Sequence, residues 1–273
     1  IIIIVVKISV MPLFAQSNIN LILNSKNYLS KEHNITHSSK SDIRFNFKNK
    51  HGNTLSNLSL IFNGNKKLTF DGSNFEYASG IATYGIGSIH RNWSFSNNTS
   101  LILSSNARPI NSIYFKLKNR FNSNWMPQNA EWALEAFNGY TDKSLENSNS
   151  NLLGLRVTFT PTSRLSFEAL QSVQWGGEGF SNSYSNLLSK VFMDSNSGTN
   201  ANINKMAGVG ISYKLSNTFL PIRIYSQIVG EDEAGSLPYC LLHLAGLEWQ
   251  SQIGYSKTLL GFEFVDTRTS ESA

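Results

Sequence analysis

Two glycine-containing clusters carry the amide, acidic and aromatic side chains that bind sugar hydroxyls. The first is Gln174-Trp175-Gly176-Gly177-Glu178-Gly179, and the second runs from Gln227 to Gly230-Glu231-Asp232. An indole offers a flat apolar face to a pyranose ring, and amide and carboxylate groups exchange hydrogen bonds with hydroxyls. The candidate sugar-binding residues are therefore Gln174, Trp175, Glu178, Gln227, Glu231 and Asp232. Two alternatives stay open: the glycines could simply form a tight turn, and Trp175 could be an aromatic residue at a membrane interface.

Arg108 is a further candidate, in the run Asn106-Ala107-Arg108-Pro109. Its guanidinium could bind an acidic sugar through paired charge-assisted hydrogen bonds, or it could pair with a carboxylate of the chain such as Glu131. We favour the second interpretation.

Catalytic and metal-binding patterns are weak. Glu178 with Glu231 or Asp232 is the one carboxylate set worth testing as a catalytic pair, and the sequence has no G-x-S-x-G motif. His33 and His37 have ligand spacing, but they lie in a polar segment without a partner acid or cysteine. The sequence predicts no catalytic residue, no metal and no cofactor.

The overall composition argues against a nucleic-acid partner. The net charge is +5, but no basic run is longer than Lys66-Lys67, whereas nucleic-acid binding needs a basic patch. Hydrophobic residues make up 40% of the chain, which excludes a disordered chain. The single cysteine, Cys240, cannot form an internal disulfide.

The elements that position these residues are amphipathic β-strands, which are clearest between Arg164 and Asp266. In residues 207–215 the odd positions are apolar and the even positions are small or polar, and residues 245–255 repeat this rhythm. Successive strand residues point to opposite faces of a sheet, so each strand presents one apolar and one polar surface.

The polar surfaces favour a transmembrane β-barrel over a soluble β-sandwich. The side chains expected to line a watery lumen are Arg156, Glu168, Gln174, Arg223, Gln227, Glu231 and Glu248. The aromatic residues expected in an interfacial girdle include Trp175, Tyr213, Trp249 and Tyr255. Long polar stretches at 142–151, 181–189 and 194–204 contrast with the tight turn at 160–163, as in outer-membrane barrels.

The expected domain order is a signal peptide over residues 1–15 that lacks its start, a polar segment over 16–40 and a barrel over 41–273. A buried strand or a short anchor is the alternative for the first segment. The polar segment is expected to form a loop or a short helical piece.

Several motifs, in this order, resemble the capsule assembly protein Wzi family of outer-membrane barrels. They are residues 100–109, 174–179, 225–232, 246–248 and 263–267, and the resemblance covers about Tyr84 to Thr267. The resemblance implies a barrel in the bacterial outer membrane that binds or anchors capsular polysaccharide without catalysis. Its partners would be that polysaccharide and outer-membrane lipid, with a monomer favoured.

Family members have roughly eighteen strands, whereas this chain offers about thirteen candidates by strand pattern. We therefore expect an incomplete antiparallel barrel that lacks its C-terminal strands. A general diffusion porin is the alternative function. A barrel hydrolase that depends on His243 or Glu178 is the third.

Overall fold

The computed structural model describes residues 4–10, 16–26, 40–62, 68–104, 108–121, 127, 129–141, 149–184, 203–215, 221–234, 237–253 and 256–267. Fifteen β-strands lie within these ranges: β1 Ile4–Val10, β2 Gln16–Lys26, β3 Lys40–His51, β4 Thr54–Phe62, β5 Leu68–Thr69, β6 Asn74–Ser79, β7 Ala82–Gly87, β8 Asn111–Arg120, β9 Glu131–Tyr140, β10 Ser150–Thr160, β11 Leu165–Gly176, β12 Asn204–Lys214, β13 Ile222–Ala234, β14 Leu237–Ile253 and β15 Ser256–Asp266. In this part of the chain, no helix is long and apolar enough to cross a membrane.

Residues 1–90 and 108–113 form a first compact unit. Its strands pair antiparallel in the order β1-β2-β3-β4-β6-β7, and β5 pairs with β4. The turn between β3 and β4 contains Gly52 at φ 53°, and Thr54 Oγ1 donates a hydrogen bond to His51 O at 2.7 Å.

β2 lies inside the segment that we expected to be a loop or a short helical piece. It pairs with β3 along its whole length, from Gln16 opposite Lys50 to Lys26 opposite Lys40. Ile19, Leu21 and Leu23 supply the alternation of a strand, but Ile22 and the surrounding Asn and Ser residues obscure it. Removal of residues 1–15 on export stays a prediction.

Residues 91–107 and 114–273 form the second unit, which contains the sheet β8 to β15 in sequence order. From β9 to β15, every strand pairs antiparallel with the next. The longest connection, residues 177–203, lies at the same end of the sheet as the extended β13–β14 hairpin. The opposite end has the turn at 161–164 and the connections at 215–221 and 254–255.

In this sheet polar side chains are buried on one face and hydrophobic side chains are exposed on the other, which is the reverse of a soluble protein. One surface, which we call the polar face, carries the buried side chains of Glu168, Gln227 and Glu248. The other, the apolar face, leaves large hydrophobic side chains exposed, with Phe262 at 76% and Val209 at 59%. A β-sandwich buries its apolar face in its core, so this pattern is that of a transmembrane barrel wall.

Candidate functional site

The polar face of the second unit is covered by residues 91–103, which we call the inner segment. The side chains predicted to face a lumen all lie on this surface. Cross-strand partners point to the same side of a sheet, and the register from β10 to β14 places all of these residues on that side. They are Arg156, Glu168, Gln174, Arg223, Gln227, Glu231 and Glu248. The prediction that these side chains share one surface is confirmed.

Ser96 anchors the middle of the inner segment to β15. Its hydroxyl accepts hydrogen bonds from the backbone N–H groups of Asn98 and Thr99, both at 3.0 Å, and donates to Glu263. Thr99 Oγ1 donates to the other carboxylate oxygen of Glu263 at 2.6 Å, and the Tyr225 hydroxyl donates to Glu263 Oε1, also at 2.6 Å. Three hydroxyl donors therefore converge on one carboxylate.

Gln227 joins the inner segment to the centre of the sheet. Its side-chain Nε2 donates to Trp93 O at 2.7 Å and to Glu168 Oε1 at 3.0 Å, while its Oε1 accepts from the Leu101 N–H at 3.0 Å. The residue is 1% exposed. Since a buried amide that lost these partners would be strongly destabilising, this network fixes one position of the segment.

Two ion pairs lie on the polar face next to the inner segment. Arg156 binds Glu168 through Nε at 2.9 Å and Nη2 at 2.5 Å. Arg223 Nη2 binds Glu248 Oε2 at 2.5 Å, and the Asn97 amide donates to both oxygens of Glu248, at 3.1 and 3.0 Å. These partners satisfy buried charges that would otherwise be costly in a low-dielectric environment.

An aromatic cluster holds the start of the inner segment. Trp93 packs edge-on against Phe137, with ring centroids 5.4 Å apart. Gly154 makes this possible, because a Cβ there would collide with the Phe137 ring and lie 2.7 Å from Trp93 Cη2.

Arg91 lies next to this cluster. Its guanidinium centre is 3.9 Å from the Phe137 ring centroid, and its Nε is 3.7 Å from Glu135 Oε1. Burial lowers the pKa of the Arg91 guanidinium, and the Glu135 carboxylate opposes that shift. The neighbouring carboxylate and the aromatic face therefore favour the charged guanidinium at this buried position.

The candidate residues of the first glycine cluster do not form one site. Gln174 is on the polar face and donates to Ser150 Oγ at 2.7 Å. Trp175 points to the apolar face, because adjacent strand residues point oppositely, and Glu178 is exposed in the following turn. Trp175 is 1% exposed and packs with Val173 and Ile203, so its ring has no open surface for a sugar.

In the second cluster, Gln227 and Glu231 share the polar face. The side chain of Asp232 lies outside the described residues. Arg108 pairs with Asp71, with Nε 2.8 Å from Oδ2, while Glu131 pairs with Arg120 and Lys118. A carboxylate partner for Arg108 is therefore correct, but the partner is Asp71 and not Glu131.

The connection after β11 folds back over the apolar face and forms a cluster that we call the tyrosine patch: Tyr140, Tyr184, Asn138 and Asn151. The Tyr184 hydroxyl donates to Asn151 Oδ1 at 2.7 Å, accepts from Asn138 Nδ2 at 2.8 Å and lies 3.1 Å from the Tyr140 hydroxyl. Tyr140 is 51% exposed and Tyr184 is 42% exposed.

The first glycine cluster forms a turn that packs against this patch. Gly176 has φ 74°, and a Cβ there would collide with Asn182 Oδ1. That oxygen accepts from the Gly177 N–H and from Asn151 Nδ2, both at 3.1 Å. Trp175 contacts Tyr184 edge-on at 5.6 Å. The glycines thus make a turn, as one of the two interpretations predicts, and that turn positions the exposed tyrosine rings.

The sequence did not predict the inner-segment residues Ser96, Asn97 and Thr99 as contacts. The sequence feature that contains them is a polar run, residues 96–100, which follows Trp93. Such a run is also typical of an exposed loop. No sequence pattern predicted the tyrosine patch, because its members come from three separate parts of the chain. No group of three or more His, Cys, Asp or Glu that could hold a metal occurs among the residues with described positions.

Comparison with known proteins gives three matches. The family model described as capsule assembly protein Wzi matches residues 16–273. An uncharacterized 55.8 kDa protein in the cps region of Klebsiella pneumoniae is 38% identical over 125 residues, which is 45% of this chain and 25% of that protein.

A solved structure is similar to 85% of this chain, with a TM-score of 0.70 and 23% identity. It is described as Wzi, an outer membrane protein involved in group 1 capsule assembly in Escherichia coli and a carbohydrate-binding β-barrel. The match covers 52% of that chain, so the present chain spans about half of it. At this identity the similarity concerns the fold.

Proposed function

This chain belongs to the capsule assembly protein Wzi family, and on that premise we propose that it is a barrel protein of the bacterial outer membrane that binds capsular or related surface polysaccharide without turning it over. The observation that carries the membrane assignment is the reversed burial of the second unit. Phe262 and Phe264 are exposed on one face, while Glu168 and Glu248 are buried on the other. A wall with that pattern contacts lipid on its apolar face over the middle of its strands.

The polysaccharide contact is assigned to the tyrosine patch. Exposed tyrosine rings offer flat apolar surfaces to the C–H faces of pyranose rings, and their hydroxyls exchange hydrogen bonds with sugar hydroxyls. The Tyr184 ring is held by the bonds of its hydroxyl to Asn138 and Asn151, and the Tyr140 hydroxyl bonds to that of Tyr184, so little ordering entropy is lost on binding. The patch lies at the end of the sheet with the longest connection, which is extracellular in outer-membrane barrels.

The roles of the earlier candidates change accordingly. Trp175 supports the Tyr184 ring, and we assign it no direct contact with the sugar. Glu178 is exposed beside this turn and remains a candidate contact. Gln174, Gln227 and Glu231 belong to the polar face.

The test is polysaccharide binding by the purified full chain in detergent, with capsule retention by cells as the second measurement. The double variant Tyr140→Ala/Tyr184→Ala is expected to weaken binding by about thirtyfold or more, since losing two aromatic contacts costs about 1–2 kcal/mol each. Tyr213→Ala is the matched control, because Tyr213 is exposed on the apolar face toward the other end of the strands. Equal binding by both variants would remove the patch from the proposal.

Bilayer conductance separates this function from that of a diffusion porin. The inner segment is bonded to the polar face at Gln227, Glu248 and Glu263, which opposes an open water path along that face. We expect no steady conductance from the purified protein. Steady conductance without polysaccharide binding would favour the porin.

The hydrolase alternative has little support from side-chain placement. His243 is on the apolar face of β14, and Glu178 is in the turn after β11. Glu168, Glu248 and Glu263 each accept hydrogen bonds from neighbouring side chains. We expect no turnover of glycan or lipid substrates, and turnover lost with His243→Ala or Glu178→Gln would contradict this.

A further inference from the structure

A cavity of about 370 Å³ lies in the second unit, near the connection between β12 and β13. Its polar lining comprises Asn97, Lys214, Arg223 and Glu248, and Leu215 and Pro221 contribute apolar surface. The volume is within the range of about 300–1,000 Å³ found for small-ligand sites. The cavity lies at the end of the sheet opposite the tyrosine patch.

The charges in this cavity favour an anion. Glu248 is engaged by Arg223 Nη2 and by the Asn97 amide, so the negative charge in the lining is compensated. Within the described part of the chain, no carboxylate forms an ion pair with Lys214. The Lys214 ammonium and the N–H groups of Arg223 that do not bind Glu248 therefore remain as donors.

The remaining lining fits a sugar better than a simple anion. Leu215 and Pro221 offer apolar surface to the C–H face of a pyranose ring, and the Asn97 carbonyl oxygen can accept from a sugar hydroxyl. A carboxylate on the same ring would bind Lys214 and Arg223 through charge-assisted hydrogen bonds, which are about twice as strong as neutral ones.

We propose that the cavity bounded by Asn97, Lys214 and Arg223 binds a carboxylate-bearing pyranose unit of an acidic polysaccharide. This deepens the proposed polysaccharide binding and rests on it, at a second position on the chain. The short-turn end of an outer-membrane barrel faces the periplasm. The unit could therefore come from an acidic capsular chain, whose uronic acids carry the carboxylate on the ring, or from a peptide-free cell-wall glycan, whose muramic acid carries it on a lactyl ether of the ring.

The experiment titrates the purified full chain with D-glucuronate and with D-glucose, followed by saturation-transfer NMR. Glucuronate is expected to bind at least about tenfold more tightly than glucose, as expected for one charge-assisted contact. Lys214→Gln is expected to remove most of this preference, and Lys214→Arg to retain it. Lys50→Gln, at an exposed lysine near the end of β3, is the matched control and should change nothing.

A second variant tests the cavity itself. Leu215→Trp keeps both cations but fills the space, and it is expected to abolish glucuronate binding. Glucuronate binding that survives in both Lys214→Gln and Leu215→Trp overturns the proposal. Equal affinity for inorganic phosphate and glucuronate also overturns it, because it would indicate a general anion site.

Two larger probes distinguish the sources. A glucuronate-containing oligosaccharide and a muramic-acid-containing glycan fragment are compared, and tighter binding of either one than of glucuronate supports the site and identifies its source. If neither binds more tightly, the polysaccharide assignment is wrong. The double variant Tyr140→Ala/Tyr184→Ala should leave glucuronate binding intact, so failure at the tyrosine patch and failure at the cavity are separable.

Discussion

At the scale of single residues, the buried amide of Gln227 bonds three other groups on the polar face. Replacing it with Ala would leave the Trp93 carbonyl, the Leu101 N–H and Glu168 Oε1 short of a partner. We expect Gln227→Ala to lower the free energy of unfolding by about 1–3 kcal/mol. Urea-induced unfolding in detergent measures this change.

Lys50→Gln is the control for that measurement, since Lys50 is exposed near the end of β3. Its change should stay within about 0.5 kcal/mol, as for most exposed substitutions. A Gln227→Ala midpoint as high as that of the control would show that the inner segment does not depend on Gln227.

Strand parity explains which residues could be predicted from sequence. Arg156, Glu168 and Glu248 were correctly assigned to one surface, because alternation alone decides the face. The partner of Arg108 is Asp71, 37 residues earlier, and no local pattern encodes it. Trp175 was expected to be open to sugar or interfacial, but its cover is Tyr184, whose position depends on a folded-back connection.

At the scale of elements, attachment of the inner segment depends on β15. Glu263→Gln puts an N–H₂ donor where three hydroxyl groups need an acceptor. We expect the Asn98 and Thr99 amides, which donate to Ser96, to exchange hydrogen for deuterium about tenfold faster, as expected for loss of a charged hydrogen bond. Hydrogen–deuterium exchange with mass spectrometry measures this.

Glu178→Gln is the matched control, since Glu178 lies in the exposed turn after β11. Its exchange at residues 98 and 99 should equal that of the unchanged chain. Unaltered exchange in Glu263→Gln would mean that the segment is held by its other contacts.

Packing of the segment against β10 gives a further prediction. Gly154→Ala would force a methyl group into the Trp93–Phe137 contact. Overpacking of this kind costs about 1–3 kcal/mol, which should appear as a lower unfolding midpoint and a weaker near-ultraviolet circular dichroism signal.

Gly261→Ala is the control for Gly154→Ala, because a Cβ at Gly261 meets its nearest atom at 3.5 Å, an ordinary contact. Equal stability of the two variants would contradict the tight approach of Trp93 to β10.

The strands could be predicted from the sequence, whereas the inner segment could not. β12 to β15 follow the alternation from which they were predicted. The inner segment is polar and aperiodic, and its bonds to Glu248 and Glu263 span 151 to 167 residues. Its role could not be predicted, because a polar run of that kind gives no indication of its partners.

At the scale of the whole molecule, the exposed apolar face gives the most direct test of membrane insertion. Val209 is 59% exposed in β12. In a water-soluble sheet Val209→Arg would be nearly neutral, whereas at the middle of a bilayer an arginine costs about 2–4 kcal/mol. We expect Val209→Arg to reduce the folded fraction in lipid vesicles, measured by the heat-dependent gel shift typical of barrels.

Lys214→Arg, at the end of β12, is the control for this experiment and should fold normally. A Val209→Arg protein that folds as well as the control would place that face in water and overturn the membrane assignment.

The contacts of Ser96 and Thr99 with Glu263 also have a consequence for the timing of folding. The inner segment emerges early in synthesis, but its last acceptor belongs to β15, more than 160 residues later. Contacts so distant in sequence form late, because their loop-closure entropy must be overcome first. The segment can already contact β9, β13 and β14 as those strands assemble, but it lacks its attachment to Glu263 until β15 has paired. Pairing of β15 is therefore the step that completes the attachment of the inner segment to the strands described here.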